Sequence, residues 1–446
     1  MAPERPLIES KEVRNFHVQN FGCRASQADG AALEAALSAE GWNSAAARQA
    51  DLVVLNTCTV TALADEDVRK AVHRAHRENP AARILVTGCY AQRAPAELAV
   101  LPGVYWVVGN SHKTQIPEII RENHAPYHGE VAVEAQIRVG DIFAQRDFLS
   151  SPVEDAAGDR TRPNLKIQDG CNNRCSFCII PFVRGRSRSA PAEQVIGQVR
   201  NLAARYREVV LSGINLGRWG REAGAMRLAD LLRRLLNETE VERLRLSSVE
   251  PMDWSDDLLD LVAGSPRIAK HVHAPLQSGS DRVLRHMHRK YRPRHYEDRI
   301  RKARAWMPDA AIGADVMAGF PGETEAEFEE SRAFIESLPF TYLHVFTYSE
   351  RPGTPAAECE DRVPMEVRKE RNRVLRELAA RKNLEFRRTM VGRTLSVVTL
   401  TAGALSDNFL KVDLAAPREP NQLTDVKIGS VSANGLGELG VLTILK

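Results

Sequence analysis

Three cysteines crowded into one short stretch are the residues best suited to chemistry. Cys171, Cys175 and Cys178, the loop triad, lie in GCNNRCSFC directly after the strand candidate NLKIQ at 164–168. Thiolates are soft ligands that suit iron–sulfur clusters, zinc or copper. Three on one tight loop can bind three irons of a 4Fe–4S cluster and leave the fourth iron open to another ligand. Zinc with a fourth ligand from elsewhere, and reduced thiols without metal, are the competing interpretations.

Three further cysteines are dispersed along the first third of the chain. Cys23, Cys58 and Cys89, the dispersed triad, each follow a predicted strand, in the contexts FGC, NTC and TGC. The carboxyl ends of parallel strands share one edge of an open α/β sheet, where ligands bind. We therefore expect the three thiols to converge, unless they are unrelated cysteines at strand ends. The remaining cysteine, Cys359, matches no motif.

The elements that must position these thiols alternate between strand and helix. In the first third, apolar strand candidates lie at 16–20, 51–56, 83–88 and 105–110. Helical stretches separate them, which predicts a doubly wound α/β domain with a parallel sheet. The middle of the chain has six strand candidates, at 164–168, 208–213, 243–249, 271–276, 312–319 and 342–349. Six βα units predict a partial (β/α)6 barrel rather than the closed eightfold one.

The pattern changes again near the end of the chain. A long charged helix is predicted at 365–389, and short alternating strands follow it. These predict a small all-β domain that closes into a barrel. Residues 145–162 are polar with Pro and Gly and are typical of a linker. The chain is thus expected to be α/β, with domains at 13–144, 163–389 and 390–446.

Composition excludes several classes of protein. The chain has 446 residues, 43% of them hydrophobic, which is typical of a globular protein with several domains. The 61 basic and 58 acidic residues give a formal net charge of +3, so any nucleic-acid surface must be local. Apolar runs are strand-sized and the N-terminus lacks the pattern of a signal peptide. We expect a cytoplasmic protein without membrane contact, whose reduced thiols bind metal instead of forming disulfides.

The cysteine motifs resemble those of the radical S-adenosylmethionine (SAM) methylthiotransferases over essentially the whole chain. The segment at 170–178 is similar to the radical SAM signature. The segments FGC with Gln27, NTCTV and NPAARILVTGCYAQ resemble the N-terminal domain of that family. Ser26 stands where the family usually has Asn. The all-β tail looks like a TRAM domain, the RNA-binding module of these enzymes.

The resemblance implies two 4Fe–4S clusters, each with an open iron, and SAM as cofactor. The loop triad would hold the cluster at which SAM is cleaved to a 5′-deoxyadenosyl radical. The dispersed triad would hold an auxiliary cluster, on which a sulfur receives the methyl group of another SAM. An electron donor such as flavodoxin or ferredoxin is implied, and a monomer is expected. By the same resemblance, residues at barrel strand ends would line the SAM pocket: Ser212, Gly213, Asn215, Glu250, Gln277, Ser278 and Asp315.

A run of arginines follows the loop triad. Arg184, Arg186 and Arg188 lie in FVRGRSRS, and arginine binds phosphate through its bidentate fork. We therefore expect these three residues to contact an RNA backbone. Further basic residues at 288–304 and 365–389 fit the same role, although charged helices are more often solvated faces with internal ion pairs.

The residues around the shared motifs differ between branches of the family. QDGCNN and GINLG look like the branch that methylthiolates carbon two of threonylcarbamoyl-adenosine next to the tRNA anticodon. Methylthiolation of isopentenyladenosine in tRNA or of a ribosomal-protein side chain are the alternatives, and a non-enzymatic metal-bound RNA-binding protein is a third class. A threonylcarbamoyl group carries a carboxylate and needs a cationic or hydrogen-bonding partner, for which Arg218 is a candidate.

Overall fold

The chain folds into two compact units, which are described separately. The computed structural model describes residues 14–122, 134–146, 148, 161–222, 224 and 226–440. The first unit comprises the described part of Met1–Thr59 and Leu63–Asp141, and the second that of Val60–Ala62 and Ile142–Lys446. Most of the expected linker at 145–162 lies outside the described residues, and the expected domain boundaries stay predictions.

A six-stranded parallel sheet forms the centre of the first unit. Its strands are β1 (Asn15–Asn20), β2 (Asn43–Ser44), β3 (Leu52–Thr57), β4 (Arg83–Gly88), β5 (Val104–Gly109) and β6 (Gln136–Arg138), in the order β2-β1-β3-β4-β5-β6. The helices are α1 (Arg24–Ala39), α2 (Ala62–Glu78), α3 (Cys89–Arg93), α4 (Pro95–Ala99) and α5 (Ile116–Glu122).

Both faces of this sheet are apolar and covered. Alternate residues of a strand point to opposite faces, and Val53 and Val54 accordingly belong to different buried clusters. Leu85 and Val86 on β4 divide in the same way. A parallel sheet buried on both faces is the doubly wound architecture predicted from the sequence, and that prediction is confirmed.

Six parallel strands also run through the second unit. The strands are β7 (Asn164–Asp169), the short antiparallel β8 (Arg188–Ser189), β9 (Glu208–Gly213), β10 (Arg243–Leu246), β11 (His271–His273), β12 (Ala311–Ala318) and β13 (Tyr342–Thr347). They form sheets of order β10-β9-β7-β8 and β11-β12-β13. The segment before β11 joins the two, because Leu244 on β10 accepts from the Ala269 amide at 2.9 Å. The predicted partial (β/α)6 barrel is confirmed.

Helices pack around this partial barrel. They are α6 (Ile180–Arg184), α7 (Ala192–Ala203), α8 (Leu228–Glu238), α9 (Asp256–Gly264), α10 (Asp281–His286), α11 (Pro293–Trp306), α12 (Glu325–Ser337) and α13 (Met365–Thr389). The apolar faces of α7 to α13 join the outward side chains of the strands in one buried core. Among the described residues, no helix combines the length and apolar character that crossing a bilayer requires.

The predicted small β-barrel is present and is part of the second unit. It consists of β14 (Thr394–Thr399), β15 (Ala404–Ser406), β16 (Lys411–Asp413), β17 (Leu423–Val431) and β18 (Leu436–Glu438). The guanidinium of Arg245 donates to the carbonyls of Ser406 and Asp407 at 2.9 and 3.0 Å. The ring of Phe409 stacks on His271, with 4.4 Å between ring centroids. These contacts fix the β-barrel to the strands β10 and β11.

Candidate metal centres

The loop triad follows β7 on a backbone that permits little variation. Gly170 has a φ of +68°, and a Cβ at this position would lie 2.0 Å from the carbonyl oxygen of Arg186. The Cys171 amide donates to the Gly185 carbonyl at 3.1 Å, and the Cys178 amide donates to the Cys175 carbonyl at 3.1 Å. Glycine is therefore required where the chain enters this loop, because only it combines that φ with so close a backbone approach.

A buried carboxylate anchors both ends of the loop. Asp169 contacts Lys166 at 3.0 Å and Arg184 at 2.9 Å, and Arg188 lies 4.0 Å away. Burial alone would raise the pKa of Asp169, but the three cations hold it well below the usual range. Arg184 and Arg188 are buried and Arg186 is exposed. The first two arginines therefore pair with Asp169 instead of presenting the surface cations expected from the sequence.

Polar side chains reach two of the loop thiols. Arg289 donates through Nη1 to Cys175 Sγ at 3.1 Å and through Nη2 to Glu250 at 2.5 Å. Asn215 donates through Nδ2 to Cys171 Sγ at 3.6 Å. Burial raises the pKa of Cys171, and it raises the pKa of Cys178 to about 12. The thiols of Cys171 and Cys178 are thus protonated without metal, and metal binding would release their protons.

The residues implied to contact SAM divide between two sides of the loop triad. Gln277 and Asp315 line one pocket together with Cys178, Met317 and Phe346. Glu250 lines a smaller one with Cys175, Arg218 and Arg289. Each pocket thus pairs a predicted cofactor residue with a triad cysteine.

The other predicted cofactor residues differ in their accessibility. Ser212 and Asn215 are buried at the end of β9, and the Asn215 amide N–H donates to Gln168 Oε1 at 2.6 Å. Asn215 Oδ1 and Ser212 Oγ have no hydrogen-bond partner among the described residues. Such unpartnered polar atoms beside a cluster thiol fit a polar cofactor. Ser278 is buried and bonded to Ser331 at 2.9 Å, while Gly213 packs on Gln168.

Several polar residues at this site were missed by the sequence reasoning. Arg289 lies in a basic run that was assigned to an RNA surface. His273 on β11 and His344 on β13 meet at Asp315, and the Tyr342 hydroxyl on β13 contacts His273. The signal available was the alternation of polar and apolar residues in HVH and YLHVF, which marks one polar face on each strand.

The dispersed triad lies at the ends of three neighbouring strands. Cys23 is the N-cap residue of α1 just beyond β1, Cys58 directly follows β3, and Cys89 begins α3 directly after β4. The order β1-β3-β4 makes these strands adjacent. A Cβ placed on Gly22 would lie 2.9 Å from Cys58 Sγ, so the turn before Cys23 packs directly on the second thiol. Each of the three cysteines follows a parallel strand as predicted, and the structure shows that the three strands are neighbours.

A buried polar network supports these strand ends. Lys113 donates to Asp29 at 3.1 Å and to Asn56 Oδ1 at 3.2 Å, and both charged side chains are only 2% exposed. Asn56 Nδ2 in turn donates to the carbonyl of Ser26 at 2.6 Å. The network therefore connects the end of β3 to the first turn of α1. Asn110 donates to Cys89 Sγ at 3.6 Å.

The spacing of the thiols differs from that of a preformed site for a single zinc ion. A tetrahedral zinc with Zn–S bonds of ~2.3 Å draws its sulfurs to within roughly 4 Å of each other. In the described part of the chain, the three side chains whose ligand atoms all come within 4.8 Å of one another are His273, Asp315 and His344. Neither cysteine triad is gathered that closely, so neither is already arranged around a single tetrahedral ion.

Comparisons with known proteins agree with this division. The family model of the radical SAM superfamily matches residues 165–335, and that of the uncharacterized protein family UPF0004 matches residues 15–109. The chain is 36% identical over 413 residues to the threonylcarbamoyladenosine tRNA methylthiotransferase MtaB of Aquifex aeolicus, covering 92% of this chain and 99% of the relative. It is 33% identical over 434 residues to the tRNA-2-methylthio-N(6)-dimethylallyladenosine synthase of Desulforamulus reducens, covering 93% and 92%.

A solved structure supports the fold. The radical SAM methyltransferase TsrM of Kitasatospora setae, solved with cobalamin and a [4Fe-4S] cluster, superposes with a TM-score of 0.55 at 16% identity and covers 77% of both chains. The cysteine placement, the two family models and the length of the match to curated relatives all agree. The chain belongs to the radical SAM methylthiotransferase family.

Proposed function

We propose that this enzyme methylthiolates carbon two of threonylcarbamoyl-adenosine beside the anticodon of tRNA. The observation that carries the proposal is the pair of cysteine triads, one at three adjacent strand ends and one on a single loop. The relative from Aquifex aeolicus is named for this substrate and is matched over nearly its whole length. The motifs QDGCNN and GINLG support the same branch.

The two triads would hold the two 4Fe–4S clusters of the family. When bound, the clusters and SAM supply the radical and methylthio chemistry of the reaction. The residues of the chain position these groups and shield them from water. Arg289 orients Glu250 beside Cys175 through its bond of 2.5 Å. We assign Asn215, Glu250, Gln277 and Asp315 to SAM binding.

The remaining predicted cofactor residues have less direct roles. Gly213 has no side chain and allows Gln168 to approach, since a Cβ there would lie 2.9 Å from Gln168 Oε1. Ser278 lies in a buried hydrogen-bonded turn and would shape the pocket through the backbone beside Gln277. Ser212 offers a buried hydroxyl at the end of β9.

The tRNA would contact the β-barrel and the exposed Arg186. Arg184 and Arg188 are left out of this proposal because their guanidinium groups are buried around Asp169. A cytoplasmic monomer that receives electrons from a flavodoxin or a ferredoxin completes the proposal. The cytoplasm is where the proposed substrate and such donors occur together.

Methylthiolation of isopentenyladenosine is the second candidate. It is favoured by the relative from Desulforamulus reducens, whose name specifies a dimethylallyladenosine product. The two candidate substrates require different pockets. An isopentenyl group binds against apolar walls, whereas a threonylcarbamoyl group requires a hydrogen-bonding or charged partner for its carboxylate.

Nucleoside mass spectrometry of tRNA from a strain that lacks this protein tests the proposal. We expect the methylthio form of threonylcarbamoyl-adenosine to disappear and its unthiolated precursor to accumulate. Wild-type protein should restore the modification, and a variant with alanine at all loop-triad positions should not. Loss of the methylthio-isopentenyl nucleoside would establish the second candidate instead. An unchanged tRNA profile with an altered ribosomal protein would move the activity to a protein substrate.

A further inference from the structure

The inner face of β11, β12 and β13 carries polar side chains in two successive layers. Residues paired across these strands place His273, Gly313 and Tyr342 in one layer. The next layer up the strands pairs Asp315 with His344, and the one above pairs Met317 with Phe346. The opposite face is apolar, since Leu343 and Val345 between these positions pack in the core. The polar side chains therefore face the interior of the partial barrel.

One carboxylate oxygen of Asp315 contacts the rings of two histidines. His273 Nε2 lies 3.2 Å and His344 Nδ1 lies 3.3 Å from Asp315 Oδ1. Burial would raise the pKa of Asp315, but hydrogen bonds from the two histidines hold it below the usual range. The other side of His273 is fixed as well, because Nδ1 lies 2.8 Å from the Tyr342 hydroxyl. Asp315 is therefore an oriented anion whose Oδ2 is left for the pocket that it shares with Cys178.

His344 differs from His273 in being accessible. Its side chain is 52% exposed, whereas that of His273 is only 5% exposed. Nδ1 is engaged by Asp315, and Nε2 has no partner among the described residues. Phe346, two residues along the same face, is 47% exposed and lines the pocket with Cys178. An imidazole held by a carboxylate at one nitrogen thus has an exposed ring one strand layer below Met317 and Phe346, which line the cofactor pocket.

We propose that His344 binds the carboxylate of the threonylcarbamoyl group and so selects the modified adenosine. The inference rests on the proposed function and identifies the residue that would recognise its substrate. With Nδ1 beside the Asp315 carboxylate, the ring of His344 has Nε2 left to face the incoming carboxylate. A hydrogen bond from Nε2 to that carboxylate is charge-assisted, and an isopentenyl group or an unmodified adenosine has no carboxylate to accept it.

Arg218, the cation suggested by the sequence, is less suitable. Its Nε donates to Asp253 at 2.9 Å, so its charge already has a counterion. It also lines the smaller pocket beside Cys175 and Glu250. His344, by contrast, is linked through Asp315 to the pocket that contains Gln277 and Cys178.

RNA binding provides a test that does not depend on turnover. Three anticodon stem-loops are compared, carrying threonylcarbamoyl-adenosine, its methyl ester, or plain adenosine at the same position. Kd is measured for wild-type holoenzyme, His344→Gln and His344→Phe, with His295→Gln as a matched exposed histidine on α11. We expect wild type and His295→Gln to prefer the free acid over the ester by about tenfold, the value of one charge-assisted hydrogen bond. Both His344 variants should lose this preference while retaining iron.

The outcomes separate the inference from the proposed function. If wild type binds all three RNAs equally, the proposed substrate is wrong. If wild type prefers the free acid and both His344 variants keep that preference, His344 does not recognise the carboxylate. A parallel Arg218→Gln variant that loses the preference would then assign the carboxylate to Arg218. If the His344 variants bind all three RNAs more weakly by the same factor, His344 contacts the RNA backbone, and the inference is overturned.

Discussion

The two cysteine triads are built in opposite ways. The dispersed triad takes its thiols from the ends of β1, β3 and β4, so that the order of the sheet brings together residues far apart in sequence. The loop triad takes all of its thiols from one turn after β7. The first centre therefore exists only when a whole domain has folded, whereas the second depends on the local conformation of one loop.

The supports of the two triads differ correspondingly. In the first unit, the buried pair of Lys113 and Asp29 joins elements that are 84 residues apart. In the second unit, Asp169 is paired with Arg184 only 15 residues away. Both supports bury charge, which is costly unless it is paired, and both would fail if one partner were removed. The comparison predicts that each centre can be damaged without the other.

The largest expected effect is the loss of one cluster by removal of its triad. Holoenzyme reconstituted without oxygen should contain about eight irons in two 4Fe–4S clusters. Replacing the loop triad with alanine should remove about half of the iron and all 5′-deoxyadenosine formation. Replacing the dispersed triad should remove the other half, and some 5′-deoxyadenosine should still form without methylthiolated product. Iron analysis and chromatography of the SAM products provide the measurements.

The assignment of one cluster to each triad depends on this separation. A triple variant that kept its full iron and sulfide would show that its cysteines are not ligands. Undiminished 5′-deoxyadenosine from the loop-triad variant would assign SAM cleavage to the other centre. Cys359→Ala is the matched control, since this exposed cysteine lies outside both triads and should leave iron unchanged.

A methyl group at one glycine beside each triad should have the next largest effect. Gly88 has a φ of +100°, and a Cβ there would lie 2.5 Å from the Thr57 carbonyl, between the strands that end at Cys58 and Cys89. Gly170→Ala would clash with the Arg186 carbonyl below the loop triad. We expect Gly88→Ala to lower the occupancy of the auxiliary cluster, and Gly170→Ala to lower the occupancy of the loop-triad cluster. Mössbauer or paramagnetic resonance spectra of each variant measure the two occupancies.

Gly197→Ala on α7 is the control for these substitutions. In the described part of the chain, no atom outside the backbone of its own helix lies within 4 Å of a Cβ at this position, and alanine in a helix interior should stabilise the protein by up to about 1 kcal/mol. Equal loss of both clusters from either glycine variant would show that the centres fold as one, contrary to the comparison.

How far the sequence predicts these centres depends on the range of the contacts involved. The dispersed triad could be predicted because each cysteine follows a β-branched apolar run, and parallel strands end at one edge of a sheet. The loop triad could be predicted because its spacing is local. The strand order β1-β3-β4, which makes the three dispersed thiols neighbours, is a property of the folded sheet.

The supports of the centres could not be predicted in the same way. Lys113 lies in a short polar segment without periodicity, and nothing local indicates that it will be buried against Asp29. Arg184 and Arg188 look like surface residues in FVRGRSRS, because the sequence does not reveal that β8 pairs with the end of β7 and places Asp169 beneath them. His344 became a candidate only when the register of β12 and β13 paired it with Asp315.

Breaking the buried ion pair of the first unit should have a moderate effect confined to that unit. Lys113→Met leaves the Asp29 carboxylate buried opposite an apolar side chain, which should destabilise the unit by roughly 3–5 kcal/mol. Adding Asp29→Leu removes the buried carboxylate as well and should restore much of the stability. Thermal unfolding measures the stability. Iron retention, measured in a background without the loop triad, reports on the auxiliary cluster alone. The same substitutions in a background without the dispersed triad should leave iron unchanged, and a loss there would contradict the separation of the centres.

The smallest expected effect concerns the donors to the thiols, which differ in charge between the two centres. Arg289 donates from a cation at 3.1 Å to Cys175 Sγ, whereas Asn110 donates from a neutral amide at 3.6 Å to Cys89 Sγ. Hydrogen bonds to cluster sulfurs raise the reduction potential, and a cation stabilises the reduced, more negative cluster further. Arg289→Gln should therefore make the potential of the loop-triad cluster more negative, and Asn110→Ala should shift that of the auxiliary cluster in the same direction by less. Redox titration followed by paramagnetic resonance measures both, with the exposed Arg285→Gln as control. A larger shift from Asn110→Ala than from Arg289→Gln would show that the electrostatic difference between the two centres lies elsewhere in their surroundings.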